Sequence, residues 1–141
     1  MKVFKFGGAS LASAEGITNV ARIIRQFAGD KLLVVVSAIG KTTNALESIH
    51  AMRRAGRPVE SAWRELKSGH MEILQSLFPK DHPIFVAIEE IFYEIKNDLE
   101  VDWEFDTGYD QIVSKGEIIS SVILHHYLKQ TGAATAWLDA R

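Results

Sequence analysis

The alternation of apolar and polar positions changes period along the chain and predicts strands that alternate with helices. Val3 to Phe6 alternate with Lys2 and Lys5, which predicts a short strand. Leu32 to Val36 is an uninterrupted apolar run, typical of a central strand covered on both faces. Between them, apolar residues recur at helical spacing from Ile17 to Phe27. The order strand, helix, strand predicts a parallel sheet with a helical crossover.

Residues that start and stop helices sharpen these bounds. Ser13 is placed to cap the first helix, because its side chain can accept from an early unpaired amide. Gly29 fits the position after the helix end, where a left-handed conformation is common. A second helix is predicted from Thr42 to Arg54, after a turn at Ser37 to Lys41.

The middle of the chain predicts a helical insertion between sheet elements, at about residues 58–100. Pro58 can begin a helix, because the amide that proline lacks is unpaired at that position. An irregular apolar stripe runs from Ala62 to Leu77 and is interrupted by Gly69. A further amphipathic helix is predicted from Ile84 to Ile95.

The last third predicts a loop, a long helix and a strand. Asp98 to Asp106 is acidic and aromatic, and indicates a loop. Tyr109 to Gln130 predicts one long helix, which Gly132 ends. Ala134 to Leu138 is expected to form a final strand.

Composition narrows the class of protein without identifying it. The 141 residues are 47% hydrophobic and 24% charged, an ordinary globular balance for about one domain. The net charge of −2 provides no basic field for nucleic acid or an anionic membrane. The absence of cysteine excludes disulfides, thiolate metal sites and cysteine nucleophiles. No apolar run approaches the ~20 residues of a membrane span, so a cytoplasmic protein is expected.

The most informative segment is KVFKFGGAS, in which a strand leads into two glycines and then a helix. Gly7 and Gly8 allow a ligand to approach the backbone, and the following helix adds partial positive charge. Lys5 and the Ser10 hydroxyl can add a full charge and a further donor. Phosphate binding is one interpretation; the other is a tight turn, with Lys5 merely at a strand edge.

A second glycine-lysine segment is a false lead. Gly40, Lys41 and Thr42 follow an apolar strand, like the end of a phosphate-binding P-loop. That motif needs a glycine five positions before its GK pair, where this chain has Val35. The spacing excludes a P-loop, and GGAS also lacks the GxGxxG spacing of dinucleotide sites.

Three segments in order carry a resemblance to a known family. KFGGAS, SAIGKTTNAL and VSKGEIISSVIL resemble motifs of aspartate kinases in the amino acid kinase family, and TAWLDAR resembles the strand that follows. The resemblance spans essentially the whole chain. One departure is Ala9, where the family usually has threonine, so one hydroxyl is absent beside the turn.

The resemblance implies a three-layer αβα fold with a parallel sheet. It also implies transfer of the ATP γ-phosphoryl group to the side-chain carboxylate of L-aspartate. The product would be 4-phospho-L-aspartate, the first intermediate of lysine, threonine and methionine biosynthesis. By the same resemblance, Lys5 neutralises the transferred phosphoryl group, and Gly7, Gly8 and Ser10 hold phosphate oxygens. ATP would act as its Mg²⁺ complex, although no metal ligand is assigned in this chain.

The resemblance also implies a site for the amino acid. Ser37 and Thr43 would lie beside the aspartate and the phosphoryl group, and Glu117 would pair with the substrate ammonium group. The other interpretation of Glu117 is a solvated helix glutamate, and Thr43 is expected to cap the helix in addition to any role at the ligand. Lys41 is expected to be peripheral.

Histidines and tryptophans are expected to have no part in the chemistry. The histidines show no metal-like grouping and are interpreted as surface or partly buried residues: His50, His70, His82, His125 and His126. The tryptophans are interpreted as packing residues: Trp63, Trp103 and Trp137.

Residues 1–141 are expected to be the N-terminal portion of a catalytic domain, so the α/β fold would be incomplete. The nucleotide-binding half and the regulatory ACT domains of the family have no counterpart in this sequence. The chain alone is therefore expected to be inactive, and its uncovered edges predict a homo-oligomer. Two alternatives stay open. One is another amino acid kinase, acting on glutamate, acetylglutamate, carbamate or a nucleotide; the other is a non-catalytic scaffold.

Overall fold

A computed structural model describes residues 1–140, with the exception of the Phe105 side chain. Strands β1 (Lys2–Phe6) and β2 (Leu32–Val36) form a parallel sheet in which Phe6 pairs with Val36. A 3-10 turn follows β1 at Gly8–Leu11. The helices in the described residues are α1 (Ala14–Arg25), α2 (Thr42–Arg54), α3 (Glu60–Leu77), α4 (Ile84–Asp98), α5 (Phe105–Val113) and α6 (Lys115–Gln130). The predicted parallel α/β fold is confirmed.

The sheet is covered on one face in the described residues. Phe4 and Phe6 of β1, with the alternate residues of β2, are half-buried and face the helices. The opposite face carries Val3, Leu33 and Val35, which are 58%, 41% and 45% exposed. The prediction that β2 is covered on both faces is therefore wrong within residues 1–140, where one helical layer stands against the sheet.

Helix α1 begins where the sequence predicts and ends earlier. The Ser13 side chain accepts a hydrogen bond from the Gly16 amide at 3.1 Å, which confirms the predicted cap. The helix ends at Arg25, and the next amides bond three residues back, as Gln26 does to Ile23. Gly29 lies beyond these tightened turns and has no positive φ, so its predicted capping role is wrong.

Two helices occupy the predicted helical region at 58–100. Helix α3 begins at Glu60, two residues after Pro58, and passes through Gly69 without a break. Gly69 is exposed, so its only cost to α3 is the low helix propensity of glycine. Phe92 of α4 is buried and packs against Trp63 of α3. That these helices form an insertion between strands stays a prediction, because no strand follows them within residues 1–140.

The predicted helix over 109–130 is wrong in its continuity. Helix α5 starts at Phe105, inside the predicted loop, and the chain turns at Ser114 before α6. Ile112 of α5 and Ile119 of α6 are both fully buried, so both helices contribute to the core. A single straight helix would offer one apolar stripe, whereas α6 is buried over a broad surface.

The described residues after α6 form no strand. Gly132 has a φ of +88°, which confirms it as the stop after α6. Residues 134–138 are exposed and unpaired, and the Trp137 Nε1 atom donates to the Ser121 Oγ atom at 3.0 Å. The predicted final strand is therefore wrong within the described residues, and Arg141 lies outside them. No helix of the described chain has the length and apolarity needed to cross a membrane.

Candidate active site

The candidate site lies at the edge of the sheet where both strands end. Parallel register brings Phe6 and Val36 side by side, so the loops after β1 and β2 leave the sheet together. The Ser37 amide donates to the Phe6 carbonyl at 3.0 Å, and the Gly40 amide donates to the Gly8 carbonyl at 3.0 Å. The first two predicted motifs are therefore in direct contact at the edge where open α/β sheets bind ligands.

The two glycines of the first motif have different surroundings. A Cβ atom at Gly8 would lie 2.4 Å from the Ala38 carbonyl oxygen and 3.0 Å from that of Gly40, so a side chain cannot fit there. A Cβ atom at Gly7 would meet nothing within 4 Å, and its φ of −77° suits any residue. Gly8 thus lets the two loops approach, whereas Gly7 leaves open space above the backbone.

The turn after β1 presents a few donors to solvent. Gly8 and Ala9 open the 3-10 turn, so their amides cannot be paired inside it. The Ser10 amide donates to the Gly7 carbonyl at 3.0 Å, which leaves the exposed Ser10 hydroxyl as the donor of that residue. At Gly16 a Cβ would lie 2.6 Å from the Ser10 carbonyl oxygen, so α1 packs tightly beneath this turn.

Lys5 lies on the open face of the sheet, close to the same edge. It pairs in register with Val35, two residues before Ser37, and its side chain is exposed. Among the described residues Lys5 makes no ion pair. The ammonium group is therefore available to an anion held at the ends of the strands.

The third motif reaches the site through Gly116. A Cβ atom there would lie 2.9 Å from the Ala38 Cβ atom and 3.2 Å from the Thr42 Cγ2 atom. The start of α6 therefore packs directly on the loop after β2 and the first turn of α2. Glu117, the next residue, is half-buried and has no ion-pair partner among the described residues.

A buried cation lies on the other side of Gly116. Lys115 has an 8% exposed side chain, and its ammonium group is paired with the Glu94 carboxylate of α4. Residues two apart on a helix do not face each other, so Lys115 and Glu117 point away from one another. The Lys115 charge is thus bound to α4 and does not neutralise Glu117.

Ser37 and Thr43 lie on the loop after β2 and on α2, and both are half-buried. Helix α2 begins at Thr42, and Lys41 occupies the capping position without a side-chain bond. The interpretation of Thr43 as a helix cap is therefore wrong. Lys41 is exposed, in agreement with the peripheral position expected for it.

Sequence reasoning missed a polar contact in the interior. The Thr42 Oγ1 atom lies 3.2 Å from the His70 Nε2 atom, and both residues are buried. His50 is also buried, at 5% exposure, so the expectation of surface or partly buried histidines is wrong for these two. Burial lowers the pKa of the His70 imidazole, and the bond to the Leu66 carbonyl partly offsets this effect. The missed signal is the helical spacing of Leu66, His70 and Leu74 on one face of α3.

A groove of about 380 Å³ opens between α2 and α3 beside this contact. Its lining includes Gly40, Lys41 and Thr42 on one wall and Glu65 and His70 on the other. None of the predicted site residues lines this groove. Within residues 1–140 no group of three histidine, aspartate or glutamate side chains is arranged to hold a metal ion, so no magnesium ligand is assigned.

Comparisons with known proteins agree with this architecture. The family model described as "Amino acid kinase family" matches residues 1–141. The chain is 29% identical over 147 residues to bifunctional aspartokinase/homoserine dehydrogenase 2 of Escherichia coli (strain K12). It is 33% identical over 144 residues to the chloroplastic aspartokinase 1 of Arabidopsis thaliana. These alignments cover 99% and 98% of this chain.

A solved structure shares the fold. The crystal structure of E. coli aspartokinase III in complex with aspartate and ADP superposes with a TM-score of 0.77 at 25% identity, over 93% of this chain and 29% of that one. The two curated relatives are matched over 18% and 25% of their own lengths, so the chain spans about a fifth to a quarter of them. The match of the family model from end to end shows that this chain belongs to the amino acid kinase family.

Proposed function

We propose that this chain provides the phosphate-binding turn and the amino-acid-binding elements of an aspartate kinase. The reaction is transfer of the ATP γ-phosphoryl group to the side-chain carboxylate of L-aspartate, which gives ADP and 4-phospho-L-aspartate. The observation that carries the proposal is the meeting of three motifs at one sheet edge. Gly8 bonds Gly40, and Gly116 packs on Ala38. The likeness to a solved aspartokinase holding aspartate and ADP supports it.

The phosphate side of the proposed site rests on β1 and the turn after it. Gly7 has open space above its backbone, and the amides at the start of the 3-10 turn have no partner inside the turn. The Ser10 hydroxyl and the Lys5 ammonium are both exposed near this turn. Together they would hold phosphate oxygens and offset the charge of the transferred group.

The amino-acid side rests on the other two motifs. Ser37 and Thr43 would contact the aspartate and the phosphoryl group, and Glu117 would pair with the substrate ammonium. The half-buried and unpaired carboxylate of Glu117 suits this role, because a cationic ligand would find no competing charge there. The Lys115 cation nearby is already paired with Glu94.

The chemistry needs no protein nucleophile and no general base. The acceptor carboxylate is ionised near neutral pH, since its reference pKa is about 3.9. The main task is therefore to hold two anions together and to stabilise the charge that is transferred. A lysine, backbone amides and hydroxyls are the groups suited to that task, and these are the groups at the sheet edge.

Other features of the family prediction remain proposals. We propose that ATP binds as its Mg²⁺ complex; the described residues offer no cluster for the ion, so its ligands would come from ATP and from outside them. A cytoplasmic location and a homo-oligomeric state likewise stay predictions. The exposed apolar face at Val3, Leu33 and Val35 supports self-association.

Isothermal titration calorimetry with single amino acids and nucleotides tests the proposal. L-Aspartate should bind more tightly than L-glutamate or N-acetyl-L-glutamate, and ATP should bind in competition with ADP. Glu117→Gln should weaken aspartate binding, while Glu72→Gln, at an exposed position of α3, should not. Lys5→Met should weaken ATP binding, while Lys31→Met should not, because Lys31 is exposed at the opposite edge of the sheet.

The outcomes separate the competing functions. A preference for another amino acid or a nucleoside monophosphate would assign a different kinase of the same family. Binding of neither aspartate nor ATP would favour a scaffold. We expect residues 1–141 to bind both ligands without turnover, so aspartate-dependent ADP formation by this chain alone would contradict that part of the proposal.

A further inference from the structure

We propose that His70 of α3 is a positioning residue for the amino-acid-binding turn, acting through the hydroxyl of Thr42. This inference rests on the proposed function, because it concerns the same site. His70 lies far from the three motifs along the sequence, and its hydrogen bonds in the described structure are to Thr42 and to the Leu66 carbonyl. Its influence passes through one hydrogen bond to the first residue of α2, next to Thr43.

The hydrogen bonds define which ring nitrogen carries the proton. The His70 Nδ1 atom lies 2.8 Å from the Leu66 carbonyl oxygen, which can only accept, so Nδ1–H is the donor. In the neutral ring Nε2 is then an acceptor, and the Thr42 hydroxyl donates to it at 3.2 Å. The low pKa that burial imposes on His70 agrees with a neutral ring near pH 7. Phe92 packs edge-on against the imidazole, with ring centroids 5.5 Å apart.

Thr42 connects three helices through its two branches. Its hydroxyl bonds His70 of α3, and its Cγ2 methyl lies against the position of Gly116 in α6. Threonine in a helix divides between two χ1 rotamers, because either leaves the hydroxyl a possible partner. A rotation of Thr42 that breaks the bond to His70 would also move its Cγ2 methyl out of the present contact with the start of α6. The bond to His70 therefore holds Thr42 in the rotamer whose methyl group packs against α6.

The approach of α6 to α2 determines the distance between Thr43 and Glu117. The two residues directly follow Thr42 and Gly116, which are the pair in contact. The groove beside Thr42 and His70 leaves space on the α3 side, so packing alone does not hold the hydroxyl there. Without the bond to His70, Thr42 could adopt more than one rotamer, and the distance between Thr43 and Glu117 would vary with it.

Two pairs of matched variants separate this role from simple core packing. His70→Asn keeps a donor near the Nδ1 position and removes the partner of Thr42, whereas His70→Gln keeps an acceptor near the Nε2 position. Thr42→Val keeps the shape and removes the hydroxyl, whereas Thr42→Ser keeps the hydroxyl. All four variants change the core, so the free energy of unfolding is measured for each beside its aspartate affinity.

The dissociation constant for L-aspartate, measured by calorimetry, distinguishes a positioning role of His70 from simple core packing. His70→Asn and Thr42→Val should each weaken binding measurably and by no more than about five- to tenfold, because a bond worth about 1 kcal/mol can bias the binding geometry only to that extent. The double variant His70→Asn/Thr42→Val should be no weaker than either single variant, because both remove the same bond. His70→Gln should stay within about threefold of the unaltered chain. Equal affinities for His70→Asn and His70→Gln, or additive losses in the double variant, would overturn the proposal.

A second measurement keeps the inference testable if aspartate does not bind at all. That result would refute the proposed function, while the geometry can still be followed by amide ¹H–¹⁵N chemical shifts in the unliganded chain. His70→Asn and Thr42→Val should move the Thr43 and Glu117 signals in the same direction, and His70→Gln should move them less. Unmoved Thr43 and Glu117 signals in His70→Asn would show that His70 does not position this turn.

Discussion

Replacement of Gly8 by alanine should destabilise the chain, because Gly8 lies where two loop backbones touch. The added Cβ would lie 2.4 Å from the Ala38 carbonyl oxygen and 3.0 Å from the Gly40 carbonyl oxygen. Both neighbours are main-chain atoms, so no rotation of a side chain can relieve the overlap. The loops after β1 and β2 would have to separate, and the 3.0 Å bond from the Gly40 amide to the Gly8 carbonyl would lengthen.

The expected loss of stability follows from three contributions. Overpacking of an interior contact costs roughly 1–3 kcal/mol. Weakening the bond between the loops costs about 1 kcal/mol. Alanine lowers the conformational entropy of the unfolded chain, which raises the free energy of unfolding by roughly 0.4–1 kcal/mol. This gain applies here because the φ of Gly8 is not positive, so alanine can adopt it. The net effect of Gly8→Ala is a loss of about 2 kcal/mol in the free energy of unfolding.

Urea unfolding, followed by circular dichroism, measures this loss, and Gly7→Ala is the matched control. A Cβ at Gly7 meets nothing within 4 Å, so its stability should stay the same or rise slightly. With an m value of about 2 kcal/mol per molar urea, Gly8→Ala should lower the midpoint by about 1 M without changing m. Gly7→Ala should instead weaken ATP binding, because its methyl group enters the space proposed for phosphate.

Equal stability of the two variants would refute the reasoning. If the free energies of unfolding of Gly8→Ala and Gly7→Ala differ by less than about 0.5 kcal/mol, the two loops do not pack closely at Gly8. The division of roles, in which Gly8 joins the loops and Gly7 faces the ligand, would then be lost.

Three further predictions concern stability. Ser13→Ala removes the cap on the Gly16 amide and should lower the free energy of unfolding in urea by about 1 kcal/mol. Ser13→Asp should retain most of that stability, because aspartate also caps helices. Burial lowers the pKa of His70 below its ordinary value of 6.5, so the unfolded chain takes up a proton that the folded chain does not. The free energy of unfolding should therefore fall as the pH drops below about 6.5, and the fall should be smaller in His70→Gln. The same pH dependence in His70→Gln and in the unaltered chain would contradict this prediction. Glu94→Gln leaves the buried Lys115 ammonium without its partner and should cost about 1–2 kcal/mol in thermal unfolding, more than Lys115→Met, which removes the charge. The reverse order would show that the Lys115 ammonium does not depend on Glu94.

The order of the first elements could be predicted from the sequence because each depends on residues close together in the chain. The apolar run at Leu32–Val36, the cap at Ser13 and the stop at Gly132 are local signals, and all three appear in the structure. The proposed site residues also lie in short motifs, which the fold brings to one edge of the sheet. Their roles in binding stay predictions.

Other features depended on contacts between distant parts of the chain. The break at Ser114 has no glycine or proline at that position, so the local sequence gives no signal that α5 ends and α6 begins there. The same apolar pattern in Leu32–Val36 is compatible with one covered face or two, and only the packed helices show that Leu33 and Val35 remain open.

By itself the sequence determined the parallel strand order, the cap at Ser13 and the stop at Gly132, since these depend on residues close together in the chain. The three motifs were also recognisable in the sequence, from their resemblance to a known family. Only the tertiary structure distinguished Gly8 from Gly7. It also showed that Lys115 is buried and paired with Glu94, and that Thr42 is hydrogen-bonded to His70. Thr42 and His70 are 28 positions apart. Whether such residues meet depends on how whole helices pack, because burial is a property of the complete set of contacts and not of local spacing.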